Sequence, residues 1–186
     1  PKSHKMMNPR YRDVKNDQIP VVSLENGTKI RVICGSVGSK QGPVKDIVTD
    51  PEYLDITVPA GSEFSHPTKR GHTVLAYVIE GNGYFCKEKE PFSYEIEEVN
   101  YFDMKRDPFL DNGNLVLFGD GDQVIVTTEG DHVRFLLISG KPIGEPVAWY
   151  GPIVMNTQEE LRIAFEEYNN GTFIKQQKRG KGNEQV

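Results

Sequence analysis

The chain has 186 residues, 37% of them apolar, which is enough for a packed core and argues against wholesale disorder. Its formal net charge of −5 speaks against a nucleic-acid binder that works by whole-surface attraction, so no direct nucleic-acid contact is expected. No apolar run approaches the roughly 20 residues of a membrane helix, and the 18 glycines and 12 prolines favour short strands and tight turns.

Residues 1–20 are polar and without period, and read as a linker or arm. Val21 to Leu24 and Lys29 to Cys34 flank Asn26-Gly27, the signal of a hairpin. Gly35 to Gly42 reads as a plain loop, because Gly35-Ser36-Val37-Gly38-Ser39-Lys40 lacks the glycine and Lys-Ser/Thr spacing of a phosphate loop. A short strand is expected near Val44 to Val48. Tyr53 to Val58 alternates and ends at the turn Pro59-Ala60-Gly61.

Thr73 to Glu80 is a stronger strand, with Gly81-Asn82-Gly83 read as a turn into Tyr84-Phe85-Cys86. Lys87 to Leu110 is long for a hairpin loop, and Glu95, Glu97 and Glu98 within it read as a solvated acidic face. Leu115 to Phe118, Gln123 to Thr127 and Val133 to Ile138 complete the series, with Asp120-Gly121-Asp122 a hairpin turn rather than a calcium loop. Strands at this spacing predict an all-β sandwich or barrel over residues 21–142. Cys34 and Cys86 lie in apolar runs and are expected to be buried thiols, which fits a cytoplasmic protein.

Residues 143–174 form a tail with one helix, about 157–168. Thr157-Gln158-Glu159-Glu160 is a capping box, Leu161, Ala164, Phe165 and Tyr168 share a face, and Asn169-Asn170-Gly171 is the stop. That face needs a partner outside the helix. Residues 175–186, with Lys175, Lys178, Arg179 and Lys181, are polar and basic and are expected to be a solvated, disordered terminus.

The stretch Glu145-Pro146-Val147-Ala148-Trp149-Tyr150-Gly151-Pro152-Ile153-Val154-Met155-Asn156-Thr157 resembles the C-terminal signature of pirins. Arg134 to Pro142 before it does too, and Lys5 to Tyr11 resembles the segment that links the two barrels of a pirin. The resemblance implies a bicupin, in which this chain supplies the second, jelly-roll β-barrel or sandwich with its C-terminal helix. It further implies that iron, or another divalent metal, belongs to a first barrel that this chain does not include. Some pirins act as quercetin 2,3-dioxygenases and others as transcription cofactors.

A cupin metal site needs two close histidines, a carboxylate and a third histidine from a later strand. Here His66 stands at a first-ligand position, Thr68 where a second histidine would follow, and His72 near the glutamate position. Val124 takes the place of the last histidine, and His132 falls in a turn beyond it. His66 and His72 are therefore only weak metal candidates, no cofactor is expected in this chain, and no catalytic residue is assigned. Trp149, Tyr150, Met155, Leu161, Phe165 and Tyr168 are expected to pack the tail against the N-terminal pirin barrel or to support self-association.

Overall fold

The structure, a computed structural model, describes residues 1–7, 11–86 and 109–174. The acidic run of Glu95, Glu97 and Glu98 and the basic terminus from Lys175 lie outside the described residues. Contacts divide the chain into two compact units, Val14–Pro142 and Pro1–Asp13 with Ile143–Val186.

The larger unit is built on alternation. Strand β1 (Val21–Ser23) turns through Gly27, whose φ of +84° suits a residue without a Cβ, into β2 (Lys29–Cys34). A two-stranded ribbon, β3 (Ser36–Val37) and β4 (Lys40–Gln41), sits inside the expected loop. The strand expected near Val44 to Val48 does not form. Val44 makes only an isolated bridge to Cys34, and Asp46 and Asp50 turn the chain with φ of +60° and +48°. Then follow β5 (Glu52–Val58), β6 (Glu63–Pro67) and β7 (Thr73–Tyr84).

Strand β7 runs on through Gly81-Asn82-Gly83, which the sequence marks as a turn. Gly81 instead stays in register opposite Val133, with φ of +71°, and a Cβ there would stand 1.8 Å from the His132 carbonyl oxygen; the bulge in this ladder falls just before it, at Ile79 between Val78 and Glu80. The strand therefore bends rather than reverses. Strands β8 (Phe109–Asp111) and β9 (Leu115–Leu117) both pair with β7, and β10 (Gln123–Thr127) and β11 (Val133–Gly140) complete the unit.

The resulting nine-stranded sheet has the order β1-β2-β5-β11-β7-β10-β6, with β8 and β9 paired to β7 off this path. It curls into a cupin-type half-barrel. Every second residue points inward: Ile30, Val32 and Cys34 on β2, Leu54, Ile56 and Val58 on β5, and Val133, Phe135 and Leu137 on β11 are all buried. Phe64 meets Phe135 edge to face, and so does Phe85. Each such large side chain contributes roughly 1.5–3 kcal/mol by leaving water.

The smaller unit joins a ribbon, β12 (Ala148–Tyr150) and β13 (Ile153–Met155), to helix α1 (Gln158–Asn169). The Thr157 hydroxyl accepts from the Glu160 amide at 3.2 Å, and the Glu160 carboxylate accepts in return from the Thr157 amide at 3.1 Å. The helix face that needed a partner finds one in the ribbon just before it. Leu161 and Ala164 are buried with Ala148, Ile153 and Met155, and Phe165 and Phe173 close the edge. Among the described residues, no helix is long and apolar enough to cross a membrane.

Candidate functional site

One end of the barrel interior is polar. Alternation along β5 places Glu52 at the first inward position, ahead of Leu54, Ile56 and Val58. On β6 the inward positions are Phe64 and His66, whose rings stack at 6.1 Å with 12° between their planes. His66 is 5% exposed and its Nε2 lies 2.9 Å from Glu52 Oε2. Strands β5 and β6 are not neighbours in the sheet, so this contact crosses the interior. Ser139 on β11 is the register partner of Glu52 and is also buried. Cys34, the last inward residue of β2, donates its thiol hydrogen to the Pro51 carbonyl at 3.3 Å. Both Cys34 and Cys86 are thiols, not joined in a disulfide; Cys34 is buried as expected, whereas Cys86 is only half-buried.

The chemistry of the pair follows from its partners. An ionised carboxylate can only accept, so the imidazole carries its proton on Nε2 when Glu52 is charged. The ring nitrogen that faces Glu52 is then a donor and offers no lone pair to a cation. Directly across the strand pair from His66 stands Val124, inward and 3% exposed. Val126 and Phe64 form the adjacent inward pair.

The remaining histidines are placed elsewhere. His72 lies in the turn before β7, its amide bonded to the Lys69 carbonyl. Asp50 nearby is held below the usual carboxylate range, chiefly by its hydrogen bond from Lys69, with His72 adding a smaller charge effect against the opposing cost of burial. His132 precedes β11, with Nδ1 3.0 Å from Asp131 and Nε2 3.5 Å from Glu80. Among the described residues no cluster of three or more His, Cys, Asp or Glu side chains could hold a metal ion. The residues at the cupin ligand positions thus do not fit the metal that such a fold implies: His66 is committed to Glu52, and Val124 is aliphatic.

Asp120 and Asp122 are engaged by the turn opposite them, Asp120 accepting from the Gly71 amide at 2.7 Å and Asp122 from Arg70 at 2.9 Å. The tail residues separate into two sets. Met155 and Leu161 are buried, and Phe165 is half-buried with its ring 5.5 Å from that of Tyr150. Trp149, Tyr150 and Tyr168 remain exposed, at 72%, 71% and 57%. Trp149 Nε1 donates to the Gly151 carbonyl at 2.8 Å, which fixes the indole over its own turn.

A family profile described as the pirin C-terminal cupin domain matches residues 53–174. The chain belongs to the pirin family. It is 34% identical to Pirin-1 of Arabidopsis thaliana over 91% of its length and 54% of that protein's. Against a pirin-like protein of Caulobacter vibrioides the figures are 32%, 91% and 54%. A crystal structure of quercetin 2,3-dioxygenase from Acinetobacter baumannii superposes with a TM-score of 0.71 at 26% identity, over 92% of this chain and 54% of that one. The chain spans about half the length of the curated relatives it matches.

No sequence motif marks Glu52, the residue that decides what His66 does. Its signal is the alternation Glu52, Leu54, Ile56, Val58, which places a carboxylate at an inward position of a strand otherwise aliphatic on that side.

Proposed function

We propose that this chain is the supporting C-terminal half of a pirin-like protein, packed against a companion N-terminal cupin barrel that holds iron or another divalent metal. In this reading it is itself non-catalytic. The observation that carries it is the commitment of His66 to Glu52 opposite Val124, which uses the barrel's inward donors on each other. That the chain covers only about half of its pirin relatives supports a second half of comparable size. A cytoplasmic site fits the two thiols.

Elemental analysis of tag-free protein tests the claim about this half. Less than one equivalent of iron is expected, and stoichiometric iron with turnover of a flavonol would overturn it. Co-expression with the N-terminal barrel of a pirin relative tests the partner. A one-to-one complex with iron is expected, and separate elution of the two barrels counts against the packing role.

A second reading, a quercetin 2,3-dioxygenase-type oxidoreductase, is favoured by the likeness to the Acinetobacter enzyme structure. Oxygen uptake with quercetin by the two-barrel complex separates the readings. Turnover supports a dioxygenase, while a stable iron-loaded complex without turnover leaves an interaction or transcription-cofactor role.

A further inference from the structure

The outer side of the same sheet carries charge in an order set by register. Lys29 and Arg31 point outward from β2, Asp55 and Thr57 from β5, and Arg134 and Leu136 from β11. Pairing then aligns Ser23, Lys29, Thr57 and Arg134 in one row across four strands. The next row is Val21, Arg31, Asp55 and Leu136. All of these except Leu136 line an open cleft of about 570 Å³.

Asp55 explains how the cations are held. It is 7% exposed although it points away from the core, because two guanidinium groups cover it. Arg134 donates to it through Nε at 2.9 Å and Nη2 at 2.8 Å, and Arg31 Nε stands 3.6 Å away. The bidentate bond raises the affinity of Arg134 for its proton, Glu80 adding a smaller effect from β7. Two arginines that would repel one another are thereby fixed side by side.

Donors remain in excess. Arg31 donates through Nη2 to Asn16, and its Nε is buried toward Asp55 without a hydrogen bond among the described residues, while about a third of each arginine side chain stays open to the cleft (34% for Arg31, 38% for Arg134). Lys29 is exposed and makes no ion pair among them. Lys29, Arg31 and Arg134 thus stand against a single carboxylate in the cleft, with the hydroxyls of Ser23 and Thr57 between them. Glu80 lies on the Arg134 side, so the positive field is strongest at the Lys29–Arg31 end.

We propose that this cleft is a binding site for a small oxyanion, a carboxylate or a phosphate, held by Lys29 and the partly exposed guanidinium groups of Arg31 and Arg134. Asp55 serves as the buttress that aims them. The site is on the outside of the barrel and is independent of any metal chemistry in its interior.

The test is an NMR titration of the full chain with inorganic phosphate and, separately, with succinate, at constant ionic strength. Saturable shifts are expected at amides of residues 21–31 and 55–57, and the tighter of the two anions identifies the source chemistry. Lys29→Gln should weaken binding about threefold, and Lys29→Gln with Arg31→Gln at least tenfold. Lys40→Gln with Lys141→Gln, the same change of net charge elsewhere, should leave it unchanged. Linear shifts without saturation, equal losses in both charge pairs, or no effect of Lys29→Gln would each overturn the proposal. Lys29→Gln breaks no ion pair of the described fold, so misfolding does not obscure the answer.

Discussion

His66 on β6 and Glu52 on β5 bridge the barrel at 2.9 Å, although no backbone ladder joins their strands. The ring is nearly fully buried, while the carboxylate retains some contact with water, 19% of its side chain being exposed. The contact therefore ties one edge of the curled sheet to a strand near the other, at the end opposite the Thr127–Tyr84 pair, the one pairing between β10 and β7.

Removing one partner should cost more than removing both. His66→Ala leaves a cavity beside Phe64 and strips Glu52 of its donor, an expected loss of about 2–4 kcal/mol. Glu52→Gln keeps a hydrogen bond and should cost about 1 kcal/mol. A double-mutant cycle by urea unfolding should return a coupling of about 1 kcal/mol or more. Additive losses would show that the two side chains merely share a neighbourhood.

The distance of this barrel from a metal site is also measurable. Val124 and His66 are direct cross-strand partners on the inward side, and such pairs have Cβ atoms about 4.5–5.5 Å apart. Val124→His should therefore add an imidazole beside the His66–Glu52 pair, so that a cation which displaces the His66 Nε2 proton meets three donors, and nickel or zinc binding should tighten at least tenfold over the parent chain by calorimetry. Unchanged affinity would mean that something other than the missing imidazole keeps a cation out.

The strands were legible because one face of the sheet is buried and the other wet, which writes a period of two into Tyr53 to Val58 and Val133 to Ile138. The capping box at Thr157 was legible because its hydrogen bonds join residues three apart. What local pattern could not carry were contacts between distant segments. The bond from His66 to Glu52 depends on the curl of the sheet. The cover of α1 by β12 and β13 depends on a ribbon of three-residue strands too short to show a period. Gly81-Asn82-Gly83 misleads for a related reason, since glycine marks both a turn and a close approach of neighbouring backbone, and only the partner strand distinguishes them.

The close backbone approach at Gly81 gives a sharp prediction. Gly81→Ala adds a Cβ into the His132 carbonyl at a positive φ, with backbone rather than a flexible side chain in the way. An expected loss of about 2–4 kcal/mol should appear in denaturant unfolding. Gly113→Ala is the control, since its φ of +87° is equally unusual but a Cβ there meets nothing within 4 Å. It should cost about 1 kcal/mol, from backbone strain alone. Equal losses would remove the steric argument.

The tail helix should respond to acid through its cap. Glu160 is held below the ordinary 4.5, first by its hydrogen bond from Lys2 and then, against the cost of burial, by the Asn156 and Thr157 amides and the charge of Lys2. Glu159 is lowered in the same direction by Arg162. A carboxylate that ionises more readily folded than unfolded stabilises the fold above its unfolded value, and that stability is lost as pH falls through the lowered folded value. The helical circular dichroism of the tail should therefore melt at a lower temperature at pH 3 than at pH 6. Glu160→Gln should shrink that difference, because its side chain cannot titrate. Thr157→Ala should instead lower the melting point at both pH values, by about 1 kcal/mol of cap energy, since the hydroxyl it removes does not ionise. An acid response of the same size in Glu160→Gln would move the titrating group away from the cap, to Glu159 or beyond.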